Sequence, residues 1–252
     1  MKMASLFKPA KAALVALATC MMLSAPAMAG TDKPAGVVEL FTSQGCNSCP
    51  PADSFFNELV QKGDVIALAY HVDYWDYLGW KDTLAKPEHT ERQYAYMRSF
   101  GDRSIYTPQL VVNGREDFMG GDRKSVEEGL DSLSSKGEGM EVNLTVSETK
   151  DSIIIKVGAT TQPAAEANLM LVYFEPPKAI DIEKGENVGR KAIYLNAVTG
   201  IRAAGVWHGK TAEFELPKSE FESKGGCAAL LQAETDDGKL GPILGATLVR
   251  HP

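Results

Sequence analysis

The chain has 252 residues, 26 of them basic and 33 acidic, a formal charge of −7 and 44% hydrophobic side chains. That acidity excludes a nucleic-acid-binding surface, which needs a basic patch. Of the four cysteines, Cys20 lies in the N-terminal leader described below, which leaves the close pair Cys46 and Cys49 and a single Cys227, not the even and widely spaced set of a secreted disulfide framework.

The first eleven residues carry Lys2, Lys8 and Lys11 and no acid; residues 12–23 are apolar, and Ala27-Met28-Ala29 follows. This is the pattern of a secretory signal peptide over 1–29, cleaved after Ala29. A retained anchor is the weaker reading, because the apolar run falls short of the about 20 residues that span a bilayer. Losing the leader removes three lysines and no carboxylate, so the formal charge deepens to −10. No later segment has the length and apolarity of a span, and the expected location is the periplasm or the exterior. The remainder, about 220 residues, suffices for one large domain or two small ones.

Residues 37–41 read as a short buried strand that leads into Cys46-Asn47-Ser48-Cys49 and then Pro50-Pro51. Two residues between the cysteines let both sulfurs meet across one turn, and a helix N-terminus favours a thiolate. The same spacing supplies half of a structural zinc site, so the pair alone leaves both chemistries open. A helix is expected over 51–61, with Phe55, Phe56, Leu59 and Val60 apolar and a stop at Gly63. Residues 65–70 form a second strand. It runs into His71-Val72-Asp73-Tyr74-Trp75-Asp76-Tyr77-Leu78-Gly79-Trp80, on the same sheet edge as the cysteines if the strands are parallel. His71 is there a candidate for proton transfer. The aromatics either line a groove or pack as a loop in which Asp73 or Asp76 caps a turn.

The pattern over 87–100 is helical, with Tyr94 and Met97 expected to face inward. Residues 109–112 form a third strand closed by Asn113-Gly114, and 122–133 a helix with Val126, Leu130 and Leu133 on its apolar face. Composition changes over 134–139, which sets the expected domain boundary: 30–136 before it, 137–252 after it. Beyond it the pattern has period two, over 141–146, 153–157, 169–174, 212–216, 228–233 and 246–249, which suggests a small β-sandwich. Cys227 lies in an apolar run and is expected to be a buried, inert thiol. Glu186-Asn187-Val188-Gly189-Arg190 and Gly205-Val206-Trp207-His208-Gly209 are distinctive but carry no assignable chemistry; Trp207 is expected in the core and His208 on an exposed turn.

Strand, CxxC, helix and strand, then Thr107-Pro108-Gln109 opening a later strand, is the order of a thioredoxin-like domain. With Val38-Glu39-Leu40-Phe41-Thr42, Asn113-Gly114 and Gly120-Gly121-Asp122, the chain resembles the glutaredoxin branch of that superfamily. The resemblance implies a cis Pro108 and a substrate lying along Thr107 and Pro108. It also implies glutathione held by Gly120, Gly121 and Asp122 at a helix N-terminus; read without it, Gly120-Gly121 is an ordinary turn. The stretch Glu39-Leu40-Phe41-Thr42-Ser43-Gln44-Gly45-Cys46-Asn47-Ser48-Cys49-Pro50-Pro51-Ala52-Asp53 is similar to a secreted bacterial family catalogued as a domain of unknown function (number 1223). That similarity implies a thioredoxin-like fold and export, not an activity. Asn47-Ser48 departs from the glutaredoxin dipeptides, so no redox potential carries over.

The expected fold is therefore an α/β thioredoxin-like (glutaredoxin-like) domain followed by a mainly β, sandwich-like domain. The expected function is thiol–disulfide exchange on protein or small-molecule thiols and disulfides, glutathione among them as substrate. Cys46 is expected to be exposed and to attack, and Cys49 to resolve. Glu39 joins His71 as a candidate for proton transfer. No cofactor or metal, no nucleic-acid partner and no membrane span after cleavage are expected. Two alternatives stand: a binding module with a structural disulfide, and a copper or zinc site on Cys46, Cys49 and His71, which lacks an evident fourth ligand.

Overall fold

Two apolar runs, β1 (Val37–Thr42) and β2 (Ile66–His71), are buried along their whole length, as strands covered on both faces must be. They pair in parallel from Val37 opposite Ile66 to Thr42 opposite His71. The crossover between them is α1 (Pro50–Lys62), which starts on two prolines and ends at Gly63 with φ 72°. Proline suits a first turn whose amides lack partners, and glycine suits the left-handed stop. The structure, a computed structural model, describes residues 1, 33–161, 166–221, 225–235 and 237–249. The expected leader over 1–29 lies outside the described residues except for Met1.

After α2 (Pro87–Phe100), β3 (Gln109–Val112) and β4 (Glu116–Met119) extend the first sheet to the order β2-β1-β3-β4. Then α3 (Arg123–Ser135) returns to the face already covered by α1, where Val38, Leu40, Phe56, Leu110, Val126 and Leu133 share one core cluster. The opposite face carries Val37, Phe41, Leu68 and Tyr70, which pack with Tyr96 of α2.

The rest of the chain is strands. β5 (Leu144–Glu148), β6 (Ser152–Val157) and β11 (Ala212–Pro217) make a sheet of order β11-β6-β5. β7 (Ala167–Phe174), β10 (Val198–Trp207), β12 (Gly226–Glu234) and β13 (Leu240–Val249) make another, of order β10-β7-β12-β13, while β8 (Lys178–Asp181) and β9 (Lys191–Tyr194) form a separate two-stranded hairpin. Trp207 is fully buried in the cluster between the first two of these sheets, and Cys227 is buried there too. His208 is exposed and pairs with Glu166.

The expected α/β thioredoxin-like (glutaredoxin-like) domain with a sandwich-like domain after it is corrected by this architecture. Among the described residues the molecule is mainly β, with thirteen strands in four sheets against three α-helices. The physical reason is where the first sheet finds its second cover. Val172, Leu230, Ile243 and Ala246 of the long strands join Val37, Phe41 and Tyr70 in one core cluster, and Thr31–Pro252 forms a single compact unit. No helix among the described residues is long and apolar enough to cross a membrane.

The inward face of α2 also differs from expectation. Tyr94 is 37% exposed, whereas His89, Thr90, Arg92, Gln93 and Tyr96 are buried. A polar helix face is buried because polar groups meet it: Arg92 reaches Glu39 of β1 and Gln232 of β12.

Candidate functional site

At the end of β1 the chain turns through Ser43, Gln44 and Gly45 into a Cys46–Cys49 disulfide whose Cα atoms lie 5.4 Å apart. Cys49 is the N-cap residue of α1, so both sulfurs sit at the positive end of that helix. A side chain at position 45 would come within 3.1 Å of Trp75 Cβ, which explains the glycine. The Thr107-Pro108 peptide bond is cis. The Thr107 carbonyl oxygen lies 3.9 Å from Cys46 Sγ and accepts from the Ser48 hydroxyl at 3.5 Å. Trp75 Nε1 donates to Thr107 Oγ1 at 2.8 Å, which ties the aromatic run after β2 to the proline loop. That run packs as a loop around Trp75 and Trp80, but Tyr77 is 78% exposed.

The expected exposure of Cys46 is not found. Cys46 and Cys49 are both 0% exposed, while Asn47 and Ser48 between them face solvent. The backbone of this loop is held by Asn187, a residue far along the chain. It is buried, and its Nδ2 donates to the carbonyls of Gln44 at 3.0 Å and Cys46 at 2.8 Å.

One helical turn past the pair lies a polar cluster that spacing alone conceals. Thr42 and His71 are register partners on adjacent parallel strands, so their side chains point the same way. Thr42 Oγ1 donates to Asp53 Oδ1 at 2.6 Å, and Asp53 sits one helical turn after Cys49 in α1. His71 Nδ1 meets Asp82 Oδ2 at 2.8 Å with both side chains fully buried. Asp82 also accepts from the amides of Gln44 and Leu84. The Tyr194 ring stands edge-on to His71 at 4.7 Å, and His71 Nε2 is buried without a hydrogen-bond partner.

The electrostatics of these groups diverge. Burial pushes the Asp53 carboxyl up to about 6, against the opposing hydrogen bond from Thr42 and the charge of His71. Burial also disfavours the His71 cation, but the Asp82 carboxylate beside it outweighs that and raises its pKa. For Asp82 burial works upward, and the His71 charge with the two amides holds it below the usual carboxylate range. The result is an ion pair beside a carboxyl group that titrates near neutrality.

A folded-state pKa above the ordinary value means stability falls as pH rises from about 4 through 6. Asp53→Asn keeps an acceptor for Thr42 and removes the charge. It is expected to raise the unfolding free energy by about 1–2 kcal/mol at pH 7.5 and to flatten the profile between about pH 4 and 6. Urea unfolding of both proteins across that range checks it.

The other sequence-derived residues are placed as follows. Gly120 packs against Pro108: a Cβ there would lie 3.1 Å from Pro108 Cβ and 3.2 Å from Ala52 Cβ. Gly121 is exposed and open. Asp122 caps α3, accepting from the amide and hydroxyl of Ser125. Glu39 is not with the sulfurs. It lies on the other face of the sheet in a buried ion pair with Arg92. Among the described residues no group of three or more His, Cys, Asp or Glu side chains is arranged to hold a metal ion, and His251 lies outside them. Asp53, Asp82 and Asn187 had no role assigned from the sequence. Asp53 had a readable signal in its four-residue spacing from Cys49 on one helix, and Asn187 stood in the distinctive 186–190 segment without an assignable chemistry.

With this geometry in hand, the chain can be set beside known proteins. The family described as "Protein of unknown function (DUF1223)" matches residues 37–232. The chain belongs to that family. An X-ray structure of a protein from Agrobacterium tumefaciens is similar, with a TM-score of 0.79 at 39% identity over 88% of this chain and 99% of that one. HBP35 of Porphyromonas gingivalis is similar with a TM-score of 0.57 at 16% identity, over 86% of this chain and 74% of that one, a likeness of fold alone. No curated protein matches the chain.

Proposed function

We propose that the protein is a thiol–disulfide oxidoreductase that works outside the cytoplasm, with Cys46 and Cys49 as its redox pair. The observation that carries the reading is the Cys46–Cys49 bridge at the N-terminus of α1 with the Thr107 carbonyl 3.9 Å from Cys46 Sγ. The Asp53–His71–Asp82 cluster one helical turn along supports it: burial pushes the Asp53 carboxyl up to about 6, and shifted carboxyl groups next to a dithiol suit a site that handles protons.

In the reductive direction the Cys46 thiolate attacks a substrate disulfide. A Cys46–substrate bond forms, the substrate S–S bond breaks, and the first substrate sulfur leaves and takes up a proton. Cys49 gives its proton to the Asp53 carboxylate and attacks Cys46 Sγ, so the mixed disulfide breaks and the second sulfur leaves. Two electrons have passed to the substrate, and an external thiol reductant must regenerate the dithiol. The His71–Asp82 pair holds the charge around Asp53 constant through these transfers. The positive end of α1 favours the Cys46 thiolate. Thr107, with its carbonyl 3.9 Å from Cys46 Sγ, is the backbone along which a substrate would lie.

A second reading has an observation of its own. Both cysteines are fully buried, as in an inert structural bridge, and the molecule would then be a binding module. Turnover separates the two. With dithiothreitol as reductant, the protein is expected to catalyse reduction of oxidised glutathione or of a coloured aromatic disulfide; a bridge that turns over no disulfide substrate would leave the binding-module reading.

A further inference from the structure

The turn between β8 and β9 is a small structure in its own right. Ile182 N bonds to Arg190 O at 2.9 Å, Gly189 N to Ile182 O at 2.8 Å, and Arg190 N to Asn187 O at 3.1 Å. Gly185 and Gly189 supply the positive φ angles, 77° and 82°, that such a tight path requires. The hairpin joins neither of its neighbouring sheets, and its strands are largely exposed. A two-stranded hairpin is marginal by itself and owes its position to what it docks on.

It docks on the reactive loop. Asn187 grips the backbone carbonyls of Gln44 and Cys46. Gly185 lies so close to Trp80 that a Cβ would come within 3.0 Å of Trp80 Cβ, and Trp80 Nε1 in turn donates to Gln44 Oε1 at 2.8 Å. Further back, Asn57 of α1 donates to the Ile193 carbonyl at 2.8 Å, and Tyr194 rests on His71. Among the described residues, both hydrogen bonds from this hairpin's turn to the disulfide loop come from one side-chain amide, and Cys46 has no exposed surface.

We propose that the β8–β9 hairpin is a cover over the Cys46–Cys49 site. Asn187 is the positioning residue that latches it, so that the site takes low-molecular-weight thiols and disulfides in preference to folded proteins. A small thiol needs only a local opening around Ser48 and Asn187. A protein disulfide must bring its own backbone up to the Gln44–Cys46 loop, where Asn187 is seated, which requires the whole hairpin to swing clear. The proposal deepens the oxidoreductase reading, but its test follows stoichiometric reduction of the bridge and needs no turnover. If turnover fails and the cover is found, only the enzymatic reading falls.

The test compares reduction of the oxidised chain by dithiothreitol and by the same dithiol tethered to polyethylene glycol. In the unaltered protein the tethered reagent is expected to be slower by about tenfold or more, because it requires the larger opening. Asn187→Ala is expected to speed the tethered reagent by about tenfold and the small one by less, narrowing the ratio. Asn168→Ala serves as the control. Its Nδ2 donates to Glu234 Oε2 at 3.2 Å, a side-chain amide tie between β7 and β12 that involves neither the hairpin nor the cysteine loop, and its loss should leave both rates as they were. Equal rates for the two reagents in the unaltered chain, no change with Asn187→Ala, or the same change with Asn168→Ala would each overturn the proposal. If Asn187→Ala does not fold, hydrogen exchange of the unaltered chain decides. Gly189 and Arg190 amides that open at a lower free energy than the β1 and β2 amides support the cover, and opening only with global unfolding contradicts it.

Discussion

Cys46→Ser is expected to abolish the proposed disulfide exchange, with turnover falling by about a thousandfold or more, because the attacking sulfur is gone and serine at neutral pH is no substitute. Cys49→Ala is expected to behave differently. It would leave Cys46 able to attack and remove the thiol that releases the product, so a mixed disulfide should accumulate on Cys46 and be read directly by mass spectrometry. The asymmetry follows from position: Cys46 ends the loop from β1 next to the Thr107 carbonyl, whereas Cys49 is tied into the start of α1. A structural staple predicts the opposite pattern, in which either substitution lowers stability by a similar amount and neither traps an adduct.

Arg92→Met is expected to be the most damaging single change away from the sulfurs. Arg92 Nε and Nη2 donate to the two carboxylate oxygens of Glu39 at 2.9 and 3.1 Å, and Nη2 also reaches Tyr96 Oη and Gln232 Oε1. The guanidinium lies 5.1 Å from the Tyr96 ring centre and 5.5 Å from that of Tyr70. Tyr96 also donates to Glu39, and Gln232 donates to Tyr96 and to the Gly241 carbonyl at 3.0 Å each. Burial opposes the Arg92 charge, but Glu39 beside it raises its pKa far beyond any physiological range.

Removing the cation strands a fully buried carboxylate. The cost of leaving one member of a buried pair alone is about 3–5 kcal/mol, a large share of the stability of a typical domain. Adding Glu39→Gln to Arg92→Met removes the stranded charge and is expected to recover roughly half of that loss. Urea midpoints of the two single variants and the double variant measure the coupling. Because Gln232 belongs to β12, the loss should also loosen the packing of the long strands on the first sheet.

The local elements were legible because they carry their own signals. The apolar run of β1 and the Pro50-Pro51 start and Gly63 stop of α1 each act within a few residues. β4, β8, β9 and β10 were not: Glu116–Met119, Lys178–Asp181 and Lys191–Tyr194 are short and polar or mixed, Val198–Trp207 breaks its alternation with two glycines and an arginine, and pairing rather than pattern makes them strands. The architecture was misjudged for a similar reason. The alternation before residue 136 drew attention to helices, while the count of strands and their shared core with β1 and β2 depends on contacts more than a hundred residues apart.

The site divides the same way. The cysteine pair, Pro108 and His71 could be named from spacing and context. The hold of Asn187 on the Cys46 carbonyl could not, because the two residues lie 141 positions apart. Glu39 pointed the wrong way for a similar cause. Alternation on β1 puts it opposite the face that holds Thr42, and which face meets the sulfurs is decided only when α1 folds back.

The central claim is that the Cys46–Cys49 bond is a working redox couple, and its reduction potential tests that most directly. Titration of the full chain against glutathione buffers, followed by alkylation and mass spectrometry, is expected to give a value between about −270 and −120 mV, the range of catalytic dithiols. A value below about −300 mV would place the bond among structural disulfides and contradict the account.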